Sequence, residues 1–185
     1  AASIAALGLF ALQHRGQESA GIAVSDGEQL MLYKDLGMIS TVLDVHRLEA
    51  GQMPVLRGEH RLGDIVEQAV RTLGPRAAAR VRLAPQLVLL AVHCDRGLVT
   101  RVLVNLLGNA LKFSPVNAPV HVESGLGGDY VQVTVRDQGP GIPADRVHLV
   151  FEKFAQVDPE AQQGTHAVGL GLTFCKMAVE AHGGT

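Results

Sequence analysis

NLLGNALKFS, residues 105–114, is the stretch on which the reading of this chain turns. It lies in a helix. Apolar positions come in pairs every four residues, Leu98/Val99, Val102/Leu103, Leu106/Leu107 and Ala110/Leu111, which makes a strongly amphipathic segment. Asp95 is a good N-cap for it, and Pro115 stops it. At the helical pitch, Asn105, Asn109 and Lys112 fall within an arc of about 60° that borders the apolar stripe. Polar groups at the edge of a core line a cleft. An Asn amide oxygen is a hard ligand suited to Mg²⁺, which keeps waters and phosphate oxygens in its shell. Lys112, one turn on, can neutralise phosphate charge. Taken alone, the helix equally fits a solvated polar face.

Three more motifs follow in order. DQGPGIP (137–143) comes after a strand in which Val131, Val133 and Val135 alternate with Gln132, Thr134 and Arg136. Asp137 at the strand end can accept a hydrogen bond from an exocyclic amine such as that of adenine. Gly139 and Gly141 let the backbone turn sharply beside a flat ring. VFEKFAQ (150–156) sets Lys153 between Phe151 and Phe154, which are expected to anchor the segment while the lysine points outward. GLGL (169–172) opens the last helix, where free N–H groups and the positive dipole end face an anion. A dinucleotide fingerprint does not fit here, since no buried strand precedes the glycines. The irregular stretch 138–168, with a short helix near 144–151, is long enough to be a functional lid. Each motif alone also fits an ordinary turn or helix start. The set in this order describes a pocket for ATP and a metal ion.

Composition agrees. Hydrophobic residues are 47% and charged residues 18%, so the chain can bury a core and is not disordered. Aromatic residues are 4% with no Trp, which leaves Leu, Val and Ala to build that core. A net charge of −2 argues against a nucleic-acid binder. Cys94 and Cys175 are too few for a disulfide framework, lack metal-site spacing, and read as small core residues. The apolar start, AASIAALGLFAL, is well short of the roughly 20 residues of a membrane span, and it lacks the basic flank of a signal peptide. The chain does not begin with Met, reads as a fragment or processed product, and is expected in the cytoplasm.

Residues 1–15 have helical spacing (Ile4, Leu7, Ala11), and AGIAVSDGEQLMLYK reads as a hairpin around Asp26-Gly27. Residues 36–50 are helical, with Gly51 as a C-cap. A short strand, a helix near 61–74, a loop through RTLGPRAAARVRLAP and a strand at LVLLAVH follow. The fold class expected is α/β, a two-layer sandwich with helices on one side of the sheet.

NLLGNALKFSP, DQGPGIP, VFEKFAQ and VGLGLTFCKMAVEAHGG resemble the catalytic ATP-binding domain of sensor histidine kinases, of the Bergerat (GHKL) ATPase fold. LDVHRLEAG resembles the end of the second helix of their dimerisation domain. The resemblance spans about residues 38–185. It implies residues 52–185 as the catalytic domain, C-terminally incomplete because the family continues with two more strands, and 36–51 as the end of the dimerisation helix. It also implies that Asn109 binds Mg²⁺, with Asn105 and Lys112 assisting at the phosphates. Asp137 would recognise adenine, and Lys153 would approach the γ-phosphate from the lid. Gly139, Gly141, Gly169, Gly171 and Leu172 would line the nucleotide. ATP and Mg²⁺ are the implied cofactors. The implied partners are a phosphoacceptor helical hairpin and a response regulator. No His here has the flanks of a phosphoacceptor, and His46 sits on the wrong helix, so transfer would be in trans. A catalytically silent nucleotide-binding module is the alternative.

LGLFALQHRGQESAGIAVSDGEQLMLYKDLG, residues 7–37, is similar to the glutaminase domain of amidophosphoribosyltransferase, and residues 1–35 are read as that fragment. That family uses an N-terminal Cys nucleophile, whereas this chain starts Ala1-Ala2-Ser3. Glutaminase activity is therefore expected to be absent, with no catalytic role for His14 and Arg15. The hairpin at 20–34 is expected to cover a sheet edge that would otherwise invite aggregation.

Overall fold

A computed structural model describes residues 8–14, 17–25, 30–33, 36–128, 130–155 and 169–185. Residues 156–168, part of the stretch 138–168 read as a lid, and the turn at Asp26-Gly27 lie outside them. The described elements, in chain order, are β1 (Gly8–His14), β2 (Gln17–Ser25), β3 (Leu30–Tyr33), α1 (Leu36–Glu49) and β4 (Gly58–Arg61). Then come α2 (Leu62–Leu73), α3 (Pro75–Arg80), β5 (Val81–Leu83), α4 (Pro85–Val88) and β6 (Ala91–Cys94). The last are α5 (Arg96–Phe113), β7 (Val120–Gly127), β8 (Tyr130–Arg136) and α6 (Gly171–Ala181).

Three sheets are present among the described residues: β1-β2-β3, β4-β6 and β5-β7-β8. In the last, β5 runs parallel to β7 from Val81 opposite Val120, and β7 and β8 form the expected antiparallel hairpin. Helices α2 and α5 pack on its inner face. Val120 and Val122 of β7 meet Ile65, Val66 and Ala69 of α2 and Leu103, Leu107 and Ala110 of α5 in one apolar core. Val131, Val133 and Val135 pack against it, as their alternation predicts. This is the two-layer α/β arrangement.

A second core lies on the other flank of α5. There Leu98 and Val102 meet Phe174, Cys175 and Ala178 of α6 and Val45 of α1. Helix α6 runs back along α5: Gly171 lies against Asn105, the Cys175 thiol donates to the Val102 carbonyl, and His182 reaches Asp95. Burial pushes the Cys175 thiol up to about 12 and raises that of Cys94, as expected of core cysteines.

Several expectations are corrected. The N-terminal stretch is not helical where described. Gly8–His14 is a strand paired with β2, Leu9 opposite Ile22 and Leu12 opposite Ser19. A short apolar run fits both periods, and here a pairing partner decides. The hairpin around Asp26-Gly27 holds as β2–β3, but it belongs to its own sheet and does not cover the edge of β5-β7-β8. RTLGPRAAARVRLAP is no loop. Gly74, at φ 87°, ends α2, and Pro75 then occupies the first turn of α3, where its missing N–H costs nothing. Pro85 does the same for α4, so only the second half of LVLLAVH is strand. The helix near 144–151 shrinks to a 3₁₀ turn at Val147–Leu149.

Candidate functional site

Positions 98, 102, 105 and 109 form one stripe along α5, since they recur at helical spacing. Its first half, Leu98 and Val102, is sealed beneath α1 and α6. Helix α6 begins beside Asn105, so the cover ends there. Asn105 and Asn109, further along the same stripe, are half-buried. The polar strip is thus the uncovered end of a core-facing stripe.

Asn105 donates from Nδ2 to the Arg101 carbonyl, 3.1 Å away. Its Oδ1 faces Gly171, where an added Cβ would sit 3.0 Å from that oxygen. The Asn109 carboxamide makes no hydrogen bond among the described residues. Lys112 is exposed, with Nζ 4.9 Å from the centre of the Phe113 ring. The N-terminus of α6 has no side-chain cap, and Leu172 in its first turn is half-buried.

At the far end of α5 lies the turn that follows β8. Asp137 Oδ1 accepts from the Gly139 amide at 2.6 Å. A Cβ on Gly139 would meet the Phe113 carbonyl oxygen at 3.2 Å, so the turn lies directly on the end of α5. The buried Ser114 hydroxyl accepts from the Gln138 amide at 3.1 Å and ties the two together. No described residue bonds the second Asp137 oxygen. Gly141, at φ 76°, has open space where a Cβ would point. From Asn105 to Phe113 the helix rises about 12 Å, and Asn109 and Lys112 lie between the two glycine motifs.

Gly169 does something the motif did not suggest. It has φ 72°, and its carbonyl accepts from the Phe154 amide at 3.2 Å. A Cβ there would lie 2.6 Å from the Ala155 oxygen. Only glycine fits, and its backbone lies directly against Phe154 and Ala155. Phe154 itself sits at φ 62°, a costly region for a bulky residue.

Lys153 is not aimed at the α5 strip. Its ammonium is held by both carboxylate oxygens of Glu49, at 2.6 and 2.7 Å, in the last turn of α1. Nor do the flanking phenylalanines anchor it. Phe151 and Phe154 are 43% and 38% exposed, while Val150 is buried in their place. A second ion pair, Arg101 to Asp44, fastens α1 to α5, and the Arg101 guanidinium also lies 4.3 Å above the Phe174 ring.

The start of α5 is equally well fixed. Asp95 accepts from the Leu98 amide through Oδ1 and from the Leu56 amide through Oδ2. Its own amide donates to His182 Nε2, and the ring's Nδ1 lies 2.6 Å from the Ala178 carbonyl oxygen. Burial raises the Asp95 carboxyl. The amides of Leu98, Leu56 and Gly97 outweigh it, and the net result lies below the ordinary carboxylate value.

Glu49, Arg101 and Ser114 carry no signal that singles them out in the sequence. Ser114 stood inside a quoted motif as a helix end. The others act across tens of residues, and no local pattern marks them.

Among the described residues no group of three or more His, Cys, Asp or Glu could hold a metal ion, and no helix is long and apolar enough to cross a membrane. Residues 94–185 match the model of the "Histidine kinase-, DNA gyrase B-, and HSP90-like ATPase" family. The chain is 32% identical over 148 residues to the sensor protein KdpD of Escherichia coli, which covers 80% of this chain and 16% of that protein. It therefore spans under a fifth of that relative's length. Among solved structures, full-length ShkA in complex with AMPPNP superposes with a TM-score of 0.66 at 26% identity, over 80% of this chain and 31% of that one. The mycobacterial sensor histidine kinase MprB gives 0.56 at 27% identity, over 69% and 81%. The family model and the superposition agree on this part of the chain, and residues 94–185 belong to the histidine kinase-, DNA gyrase B- and HSP90-like ATPase family.

Proposed function

We propose that this domain binds ATP with Mg²⁺ along the second half of α5 and transfers the γ-phosphoryl group to a histidine on another chain's helical hairpin. One observation carries the reading. The two glycine motifs contact α5 at Phe113 and at Asn105, and the unbonded Asn109 carboxamide lies between them. A nucleotide laid along that stretch would meet Asp137 at its base. The Asn109 oxygen and Lys112 would face its phosphates, and the uncapped start of α6, with Gly171 and Leu172, would meet its negative end.

Mg²⁺ fits this donor set. It takes few protein ligands and keeps phosphate oxygens and water, so one amide oxygen at Asn109, without an acidic cluster, is adequate. When bound, it would neutralise charge on the phosphates. The chain's own groups position them: Asn105 orders the start of α6, and Lys112 adds positive charge. Phosphoryl transfer needs chiefly such positioning and charge compensation.

Residues 36–51 are assigned to the end of the dimerisation helix and 52–185 to the catalytic domain. Residues 1–35 have no assigned part in this chemistry. The domain's partners are a phosphoacceptor hairpin and a response regulator.

Calorimetric titration with ATP, with and without Mg²⁺, tests the site. Asp137→Asn turns one acceptor oxygen into a donor, and its affinity is expected to fall on the order of tenfold or more, as when a buried polar partner is left unmatched. No binding by the parent, or unchanged binding by the variant, overturns the nucleotide reading. A silent nucleotide-binding module is favoured by one feature, the capture of Lys153 by Glu49. Transfer of labelled phosphate to a supplied dimerisation domain distinguishes the two.

A further inference from the structure

Arg80 is the last residue of α3, outside the matched family region and outside every motif quoted above. Its guanidinium is directed at three carbonyls. Nε donates to Ala118 at 2.9 Å, Nη1 to Leu111 at 3.0 Å and Nη2 to Pro115 at 2.8 Å. Leu111 belongs to the last turn of α5, whose final carbonyls have no partner within the helix. Pro115 and Ala118 bound the turn by which the chain leaves α5 for β7. The next residue, Val81, starts β5 directly opposite Val120 of β7. Arg80 thus stands where α5, the 115–118 turn and two parallel strands converge, and its planar fork satisfies three acceptors at the negative end of the helix.

The atoms it holds adjoin the candidate site. Lys112 follows Leu111. Phe113 presents its carbonyl to Gly139, and Ser114 takes the Gln138 amide. We infer that Arg80 is a positioning residue for nucleotide binding: by clamping the end of α5 to the 115–118 turn, it sets the distance between the Asp137 turn and the Asn105–Asn109–Lys112 strip. Arg80 touches no ligand itself. The inference rests on the nucleotide reading for its functional half, while its structural half, the local clamp, stands apart.

Two measurements on the chain separate these halves. Amide hydrogen exchange on Arg80→Gln, without ligand, is expected to speed Ser114, Ala118 and Gln138 on the order of tenfold, while Ile65 and Val66 in the α2 core keep the parent rates. ATP affinity in the presence of Mg²⁺, measured well below the variant's melting temperature, is expected to fall by a similar factor, and Arg80→Lys is expected to lie between, since an ammonium cannot span three carbonyls in one plane. Uniformly faster exchange would reduce Arg80 to a general stabilising role and overturn the inference. So would an affinity within about twofold of the parent, a difference too small to indicate a lost contact. If the parent binds no ATP, the nucleotide reading falls with the positioning role, and unchanged local exchange would remove the clamp as well. Should Arg80→Gln fail to fold, Arg80→Lys decides: weakened binding at native stability supports the role, and unchanged binding ends it.

Discussion

Asp95 shows how much one side chain can organise. It caps α5, receives the Leu56 amide and, through its own amide, anchors His182 at the end of α6. Its folded carboxyl value is depressed, so its contribution is present above the unfolded value of about 3.9 and is lost as pH falls through the lower folded value. Parent stability, measured by urea unfolding from neutral pH down to about pH 3, should therefore drop on acidification more steeply than that of Asp95→Asn, which keeps a capping oxygen but has no charge to lose. Equal slopes would contradict this. Asp95→Ala should cost about 1 kcal/mol at neutral pH through the lost cap. At the same scale, the glycines divide by job. Gly139 and Gly171 are small because carbonyl and carboxamide oxygens crowd them, and Gly169 because its backbone and its neighbours leave no alternative.

Between elements, the decisive contact is α1 on α5, α6 and the segment that carries Lys153. Apolar packing through Val45, the Asp44–Arg101 pair and the Glu49–Lys153 pair all join it there. The last pair is exposed, at 38% and 49%, so a double-mutant cycle with Glu49→Gln and Lys153→Met should return only about 0.2–1 kcal/mol, less at high salt. Its larger effect concerns where the lysine points. Releasing Lys153 by Glu49→Gln should favour ATP over ADP by up to roughly fivefold, the equivalent of that pair energy. An unchanged ATP-to-ADP ratio would mean that Lys153 does not meet the terminal phosphate.

At the scale of the whole molecule, α5 is the axis, with one core on each flank and the polar strip at the end that α6 leaves open. Leu107 is fully buried between α2 and the sheet. Leu107→Ala should cost about 2–5 kcal/mol in urea unfolding, and a loss well under 1 kcal/mol would show that the sheet-side core is not packed as described. The order of motifs, the α5 helix with its cap, the β7–β8 hairpin and the two-layer class were all legible in the chain. They depend on spacing within one element, and spacing is what a sequence displays. The strand at Gly8–His14, the short helices at Pro75 and Pro85, the partner of Lys153 and the three-carbonyl grip of Arg80 were not legible. Each depends on a partner distant in the chain. A local pattern states which face of a segment is apolar or charged, and only the packed structure decides what that face meets. Sequence alone therefore determined the order and spacing of the motifs from which a nucleotide site is proposed. Tertiary structure decided how those parts are held: α6 leaves half of a core stripe uncovered, and long-range hydrogen bonds fix the turn and the helix end on either side of it.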